Sequence, residues 1–281
     1  MSLAEHGLGG ILIRKPVEGH VTRQVLATKG TGKFAVGGAV AWFTVHTRDT
    51  TMWWDPQYII LVLLPSLVIS GFASLLVQAR FSRYSRVLAR SGLTGAQAAR
   101  AILDSAGLYD VQVEQTHGFL SDHYNPLSRT LALSPEVYHG RSLAAIGVAA
   151  HEAGHALQHA ENYAPLWIRS ALVPAAGIGS QLGWIVMAVG LMLHPFVVLL
   201  GAILFSGVLA FQLVTLPVEF DASHRAKQLV LQMGFVDPDE REGVDKVLNA
   251  AALTYVAALI TSLLTLLYFL MRAGLLGGRD E

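Results

Sequence analysis

Four stretches with no charge inside them constrain this chain more than any other feature. They are Tyr58 to Ala79, Ile168 to Leu193 (whose boundary residue Arg169 is its only charge), Pro195 to Leu216 and Ala250 to Met271. About 20 apolar residues in a helix cross the hydrocarbon core of a bilayer, so each is long enough to span it. With 53% hydrophobic and 14% charged residues among 281, the chain has the composition of a membrane protein, not of a soluble globule. The expected fold class is a mainly α membrane protein: four transmembrane helices and a small α+β unit outside the membrane.

The spans divide the chain. Residues 1–51 are expected to be an irregular N-terminal tail or a mis-called start; they are Gly-rich, with no sustained apolar period. Val36 to Val45 has the weak pattern of a short strand or helix. The first transmembrane helix occupies 52–80. A soluble region follows over 81–167, the second and third helices over 168–217, a further soluble segment over 218–249, the fourth helix over 250–272 and a short tail over 273–281. Segments 80–169 and 218–249 lie on one side of the membrane and carry eight and four of the 20 Lys and Arg, while the loop between the second and third spans carries none. Positive residues favour the cytoplasmic side, so both soluble segments are expected there. By the same rule, six Lys/Arg in 1–51 would sit on the wrong side, which favours a start at Met52.

The first soluble segment has readable punctuation. Thr94 is a helix N-cap and Gly107 a stop, with Ala98, Ala99, Ile102 and Leu103 as the apolar face between them. Tyr109 to Gln115, Gly118 to Tyr124 and Arg129 to Leu133 read as strands, the last two joined through the turn dipeptide Asn125-Pro126. Ser134-Pro135 opens a short helix.

His151-Glu152-Ala153-Gly154-His155 follows an apolar run of helix formers. Residues four apart stack on one helix face, so the two imidazoles can converge on one ion. Zinc takes neutral imidazole readily, and three protein ligands plus water make a catalytic site. Glu152, beside the first histidine, is the expected acid/base that takes the proton of the attacking water. The chain has no cysteine, so the third ligand is a histidine or a carboxylate. His159 lies about 12 Å from His151 along a helix, too far for one ion. Gln158 and Glu161 stand where the metzincin pattern has Gly and His. His117, His123 and His139 stay open on spacing alone. Glu219 is the strongest candidate, since it stands where a span gives way to a soluble helix on the metal helix's side of the membrane. Asp221 is placed to support a ligand, and His224 or Arg225, one turn on, to stabilise an oxyanion.

Several stretches together resemble the bacterial neutral zinc metallopeptidases of membranes, the YugP type, similar in layout to the HtpX and Ste24 gluzincin proteases. They are Trp54-Asp-Pro, Ser91-Gly-Leu-Thr-Gly-Ala-Gln-Ala-Ala-Arg100, Asp122-His-Tyr-Asn-Pro126, Leu133-Ser-Pro-Glu-Val-Tyr138, the stretch from His151 to His159, and Pro217-Val-Glu-Phe-Asp-Ala-Ser223. The resemblance implies that the α+β unit is a small cytoplasmic catalytic unit of zincin type, with zinc held by His151, His155 and Glu219 and Glu152 as the catalytic group. Ser223 stands where the HtpX-type pattern has Asp, and Asn125 and His224 depart from the YugP pattern as well. The expected function is a zinc endopeptidase acting on peptides or membrane proteins at the cytoplasmic face of a bacterial inner membrane, with the lipid bilayer as partner and no nucleic acid. The rival is a catalytically silent, zinc-stabilised membrane scaffold or adaptor. Intramembrane proteolysis of the site-2 type would need an Asp ligand inside a span, and the third and fourth spans have none.

Overall fold

The computed structural model describes residues 31–36, 39–44 and 55–276. The chain divides into a unit over Met1–Asp49 and a unit over Thr50–Glu281. In the first, β1 (Thr31–Val36) pairs antiparallel with β2 (Ala39–Thr44). An irregular tail with a weak strand or helix pattern over Val36 to Val45 was expected there; two runs separated by Gly37-Gly38 carry a hairpin signal. The proposed start at Met52 and the rest of the tail lie outside the described residues.

The second unit is mostly helical. Four helices are long and apolar enough to cross a membrane: α1 (Pro56–Tyr84), α5 (Ala164–Leu193), α6 (Pro195–Gln232) and α7 (Arg241–Arg272). Between α1 and α5 come α2 (Gly95–Ser105), α3 (Pro135–Tyr138) and α4 (Leu143–Ala160). Thr94 caps α2 in a reciprocal capping box with Gln97. Gly107 follows α2 with φ +73°, a left-handed conformation that suits glycine.

β3 (Gln112–Gln115), β4 (His123–Asn125) and β5 (Thr130–Leu133) form a sheet in the order β3-β5-β4. β5 pairs parallel with β3 and antiparallel with β4, with Val113 opposite Leu131 and Tyr124 also opposite Leu131. β4 is therefore an edge strand. It is shorter than the expected Gly118 to Tyr124, because Gly118 and Leu120 take positive φ and break the extended run. Phe119 turns instead onto Phe81 of α1, ring centroids 5.5 Å apart.

The spans also differ from the expected ends. α6 runs unbroken for 38 residues through Pro217, so the third span and the segment bearing Glu219 are one rigid rod. The chain leaves α6 after Gln232 and resumes as α7 at Arg241. π-helical turns at Ile59–Leu63 and Gly179–Gly183 follow or precede prolines within α1 and α5, as membrane helices accommodate them. Small residues bring α5 onto α6: a β-carbon on Gly183 would stand 2.8 Å from the Phe205 backbone nitrogen, and one on Gly190 2.5 Å from that of Val198. Gly177 of the same helix faces open space.

Two apolar cores result. One gathers α2, the sheet and the ends of α1, α6 and α7 around α4, with Ile102, Leu131, Ile146 and Val244 fully buried. The other, around Met187, Val198 and Phe269, ties α5, α6 and α7 together. α4 thus lies between the spans and the small sheet. That position puts its histidines beside the ends of α5, α6 and α7.

Candidate metal centre

α4 starts cleanly because Ser142 accepts a hydrogen bond from the Ala145 amide, 3.2 Å. Its helical spacing stacks His151 and His155, ring centroids 4.7 Å apart and nearly perpendicular. Glu219, only 3% exposed, enters from α6. Its Oε2 lies 3.2 Å from His151 Nε2 and 3.7 Å from His155 Nε2. Among the described residues, His151, His155 and Glu219 form the one group of three or more His and carboxylate side chains with donor atoms all within 4.8 Å of one another. Tetrahedral zinc at its usual bond lengths sets neighbouring ligand atoms roughly 3.3 Å apart. The three donors fit that ion.

The outer nitrogens support the same geometry. Gln158 commits its amide N–H to Val218 O (2.9 Å) and Asp221 Oδ2 (2.8 Å), so its Oε1 accepts from His155 Nδ1 at 3.0 Å. Ser223 Oγ lies 3.1 Å from His151 Nδ1, a hydroxyl where the HtpX-type pattern has a carboxylate. With each Nδ1 partnered, each Nε2 is left to face Glu219. The carboxylate is divided too: Oε2 faces the histidines, while Oε1 lies 3.5 Å from Arg169 Nη1 of α5. His155 is pulled down in pKa by burial, but its bond to Glu219 and the charges of Glu152 and Glu219 outweigh this and leave it raised.

Other expected residues lie elsewhere. Arg225 Nε holds Asp221 at 2.6 Å and its Nη1 holds Glu161 at 2.7 Å, so it braces the support of His155. His224 is exposed and bonded to Gln228, 3.0 Å. His139 bonds Gln115 (2.9 Å) and His117 is exposed. His159 meets the Tyr124 hydroxyl at 2.8 Å.

Two cavities meet at the site, and His151, Glu152, Glu219, Asp122 and Tyr255 line both. One, about 180 Å³, runs between α1 and α7. The other, about 290 Å³, is walled by β4, α5 and α6. Asp122 accepts from the Ser134 amide and hydroxyl, 2.7 and 3.0 Å, yet burial pushes its carboxyl above the usual range. Sequence reasoning missed Arg169, Gln158, Asp122 and Tyr255 as parts of the site. The charge at the edge of a span was a signal for Arg169. For Gln158 and Tyr255 there was none.

Residues 58–274 match the family described as "Putative neutral zinc metallopeptidase". The chain belongs to this family. It is also 49% identical to the "Putative membrane protease YugP" of Bacillus subtilis (strain 168) over 223 residues, 79% of this chain and 98% of that protein. No solved structure matches the chain. Within this metallopeptidase family the match takes in α1 through α7, and so all three candidate ligands and both cavities.

Proposed function

We propose that the chain is a membrane-integrated zinc endopeptidase that hydrolyses peptide bonds on the cytoplasmic side of a bacterial inner membrane. The observation that carries this reading is the convergence of His151 Nε2, His155 Nε2 and Glu219 Oε2 beside Glu152, at the meeting of two cavities. His151, His155 and Glu219 would hold the metal. Zinc, when bound there, supplies a Lewis acid that makes water a nucleophile near neutral pH.

The chain's own groups do the rest. Glu152, 8% exposed and next to His151, takes the proton of the attacking water and delivers it to the departing amine. Tyr255 reaches the site from α7 and interacts with Glu219 and Glu152; its hydroxyl is a hydrogen-bond donor for the charge developing on the carbonyl oxygen. This gives the oxyanion role to Tyr255 in place of His224 and Arg225. β4 is an edge strand, and His123 and Tyr124 within it line the larger cavity. An extended substrate adds to that edge by main-chain hydrogen bonds, which orients the scissile bond over Glu152. The α+β unit then works as zincins do, with metal helix and edge strand side by side. The Lys/Arg-rich segments 80–169 and 218–249 support the cytoplasmic orientation.

Glu152→Gln separates this function from a zinc-stabilised scaffold. Hydrolysis of a casein or membrane-protein substrate is expected in the wild type and lost in the variant, with zinc content unchanged. Wild-type protein with full zinc and no hydrolysis refutes the reading.

A further inference from the structure

The two cavities at the site differ in chemistry. Arg169, Ser170, His123 and Tyr124 make the larger one polar. Away from the shared site residues, the smaller is walled mostly by apolar side chains, among them Val77 of α1, Val148 of α4, Leu120, and Val247, Leu248 and Ala251 of α7, with Ser223 and Thr254 as uncharged polar members. Among the described residues no Lys or Arg lines it, and its charged groups, Asp122, Glu152 and Glu219, all lie at the end shared with the metal centre.

From this geometry we infer that the smaller cavity is a specificity pocket, which receives an aliphatic side chain from one of the two substrate residues flanking the scissile bond. The inference rests on the peptidase reading above and names a substrate class for it: peptides cut beside Leu, Ile, Val or Met.

Three observations support that occupant. His151 and Glu152 belong to the cavity's wall, so whatever fills it adjoins the bond being cut. Its volume, about 180 Å³, is close to the roughly 150 Å³ apolar cavity that takes up benzene, room for one branched aliphatic chain. An acidic side chain would meet three carboxylates, and Gly or Ala would leave the pocket unfilled. A substrate segment lying along the edge strand also has a second flanking residue, and this one faces Arg169 and His123 in the polar cavity. The two flanks are therefore read by different chemistry, which provides an internal control.

Two substitutions change the pocket in opposite directions. Ala251→Leu adds bulk from α7 and Val148→Ala removes it from α4. The full-length, zinc-loaded protein in detergent is given a mixture of proteome-derived peptides, and cleavage sites are read by mass spectrometry, with Glu152→Gln to subtract contaminating proteases.

Wild-type sites should be enriched in Leu, Ile, Val or Met at one flank. In Ala251→Leu the ratio of Leu to Ala at that flank should fall about tenfold or more, a discrimination within reach of an apolar pocket. In Val148→Ala the same flank should admit Phe, while the opposite flank keeps its preference in both variants. Elemental analysis checks that zinc is retained; if Ala251→Leu loses it, Val148→Ala alone decides. Zinc-loaded variants that cut with wild-type preference at both flanks overturn the pocket but leave the peptidase standing. A wild type that cuts nothing overturns both.

Discussion

Gly154 stands so close to Ala222 that a β-carbon on the glycine would lie 2.9 Å from the Ala222 carbonyl oxygen. Gly154 is next to His155, and Ala222 lies one turn beyond Glu219. Their contact sets how near α4 approaches α6, and so whether Glu219 reaches the histidines. The obstacle is backbone, which cannot swing aside as a flexible side chain can. Gly154→Ala should destabilise the protein by about 1–3 kcal/mol through overpacking and lower its zinc occupancy. Thermal unfolding in detergent and elemental analysis measure the two effects. Gly177→Ala, where nothing lies within 4 Å of the added carbon, is the control and should keep both near wild type.

The assignment of Glu219 as third ligand predicts a sharp contrast among three alanine variants. Glu219→Ala leaves two imidazoles and should be purified largely without zinc. His117→Ala and Glu161→Ala should keep it, since His117 is exposed and Glu161 reaches the site only through Arg225. Full zinc in Glu219→Ala, or its loss in His117→Ala, moves the ligand elsewhere.

What could be read from sequence followed the range of the forces involved. Helical spacing alone aligned His151 with His155, and uninterrupted apolar runs located the four long helices. Thr94 and Gly107 marked the ends of α2 because caps are local. Glu219 was singled out by the composition around it, but its closeness to His151, 68 residues earlier, depends on how α6 packs on α4. Arg225 shows the limit more clearly. One turn from Glu219, it had been expected at the oxyanion, yet Asp221 and Glu161 take up its guanidinium. Tyr255 comes from the fourth span, and nothing local in an apolar run marks the residue that faces a distant metal site. The fate of Phe119 was also hidden, because an alternating pattern does not show that Gly118 and Leu120 adopt positive φ.

Gln158 is buried, and its amide joins three elements of the support: His155, the Val218 carbonyl and Asp221. Gln158→Leu keeps the bulk but leaves His155 Nδ1 and the Val218 carbonyl without this partner. Loss of such an outer contact typically weakens metal binding 10- to 100-fold. Competition for zinc with a chromophoric chelator should show a shift of about that size, with Glu152→Gln unchanged in the same assay. An unaltered affinity in Gln158→Leu would mean that the amide does not orient His155.

Asp55 ties the beginning of α1 to the end of α7, which predicts how stability responds to acid. Its carboxylate accepts from the Gln57 amide at 2.9 Å and from the Tyr268 hydroxyl at 2.5 Å, and lies 3.2 Å from Arg272. Burial pushes its pKa up, but the Tyr268 and Gln57 bonds and the Arg272 charge outweigh this and hold it below the ordinary 3.8. A carboxyl whose pKa is lower in the folded state binds fewer protons there than when unfolded. Its stabilising contribution is complete above the unfolded pKa and is lost as pH falls through the folded one. Asparagine still caps a helix but carries no charge, so Asp55→Asn isolates the ionic part. The variant should be about 1–1.5 kcal/mol less stable than wild type at about pH 7, the margin by which hydrogen bonds to a charged group exceed those to a neutral one. Thermal unfolding in detergent should show the difference shrinking as the pH is taken down from about 4 to about 3, while wild type itself loses stability. A difference of the same size at both ends of the range would show that the charge on Asp55 does not hold the two helices together.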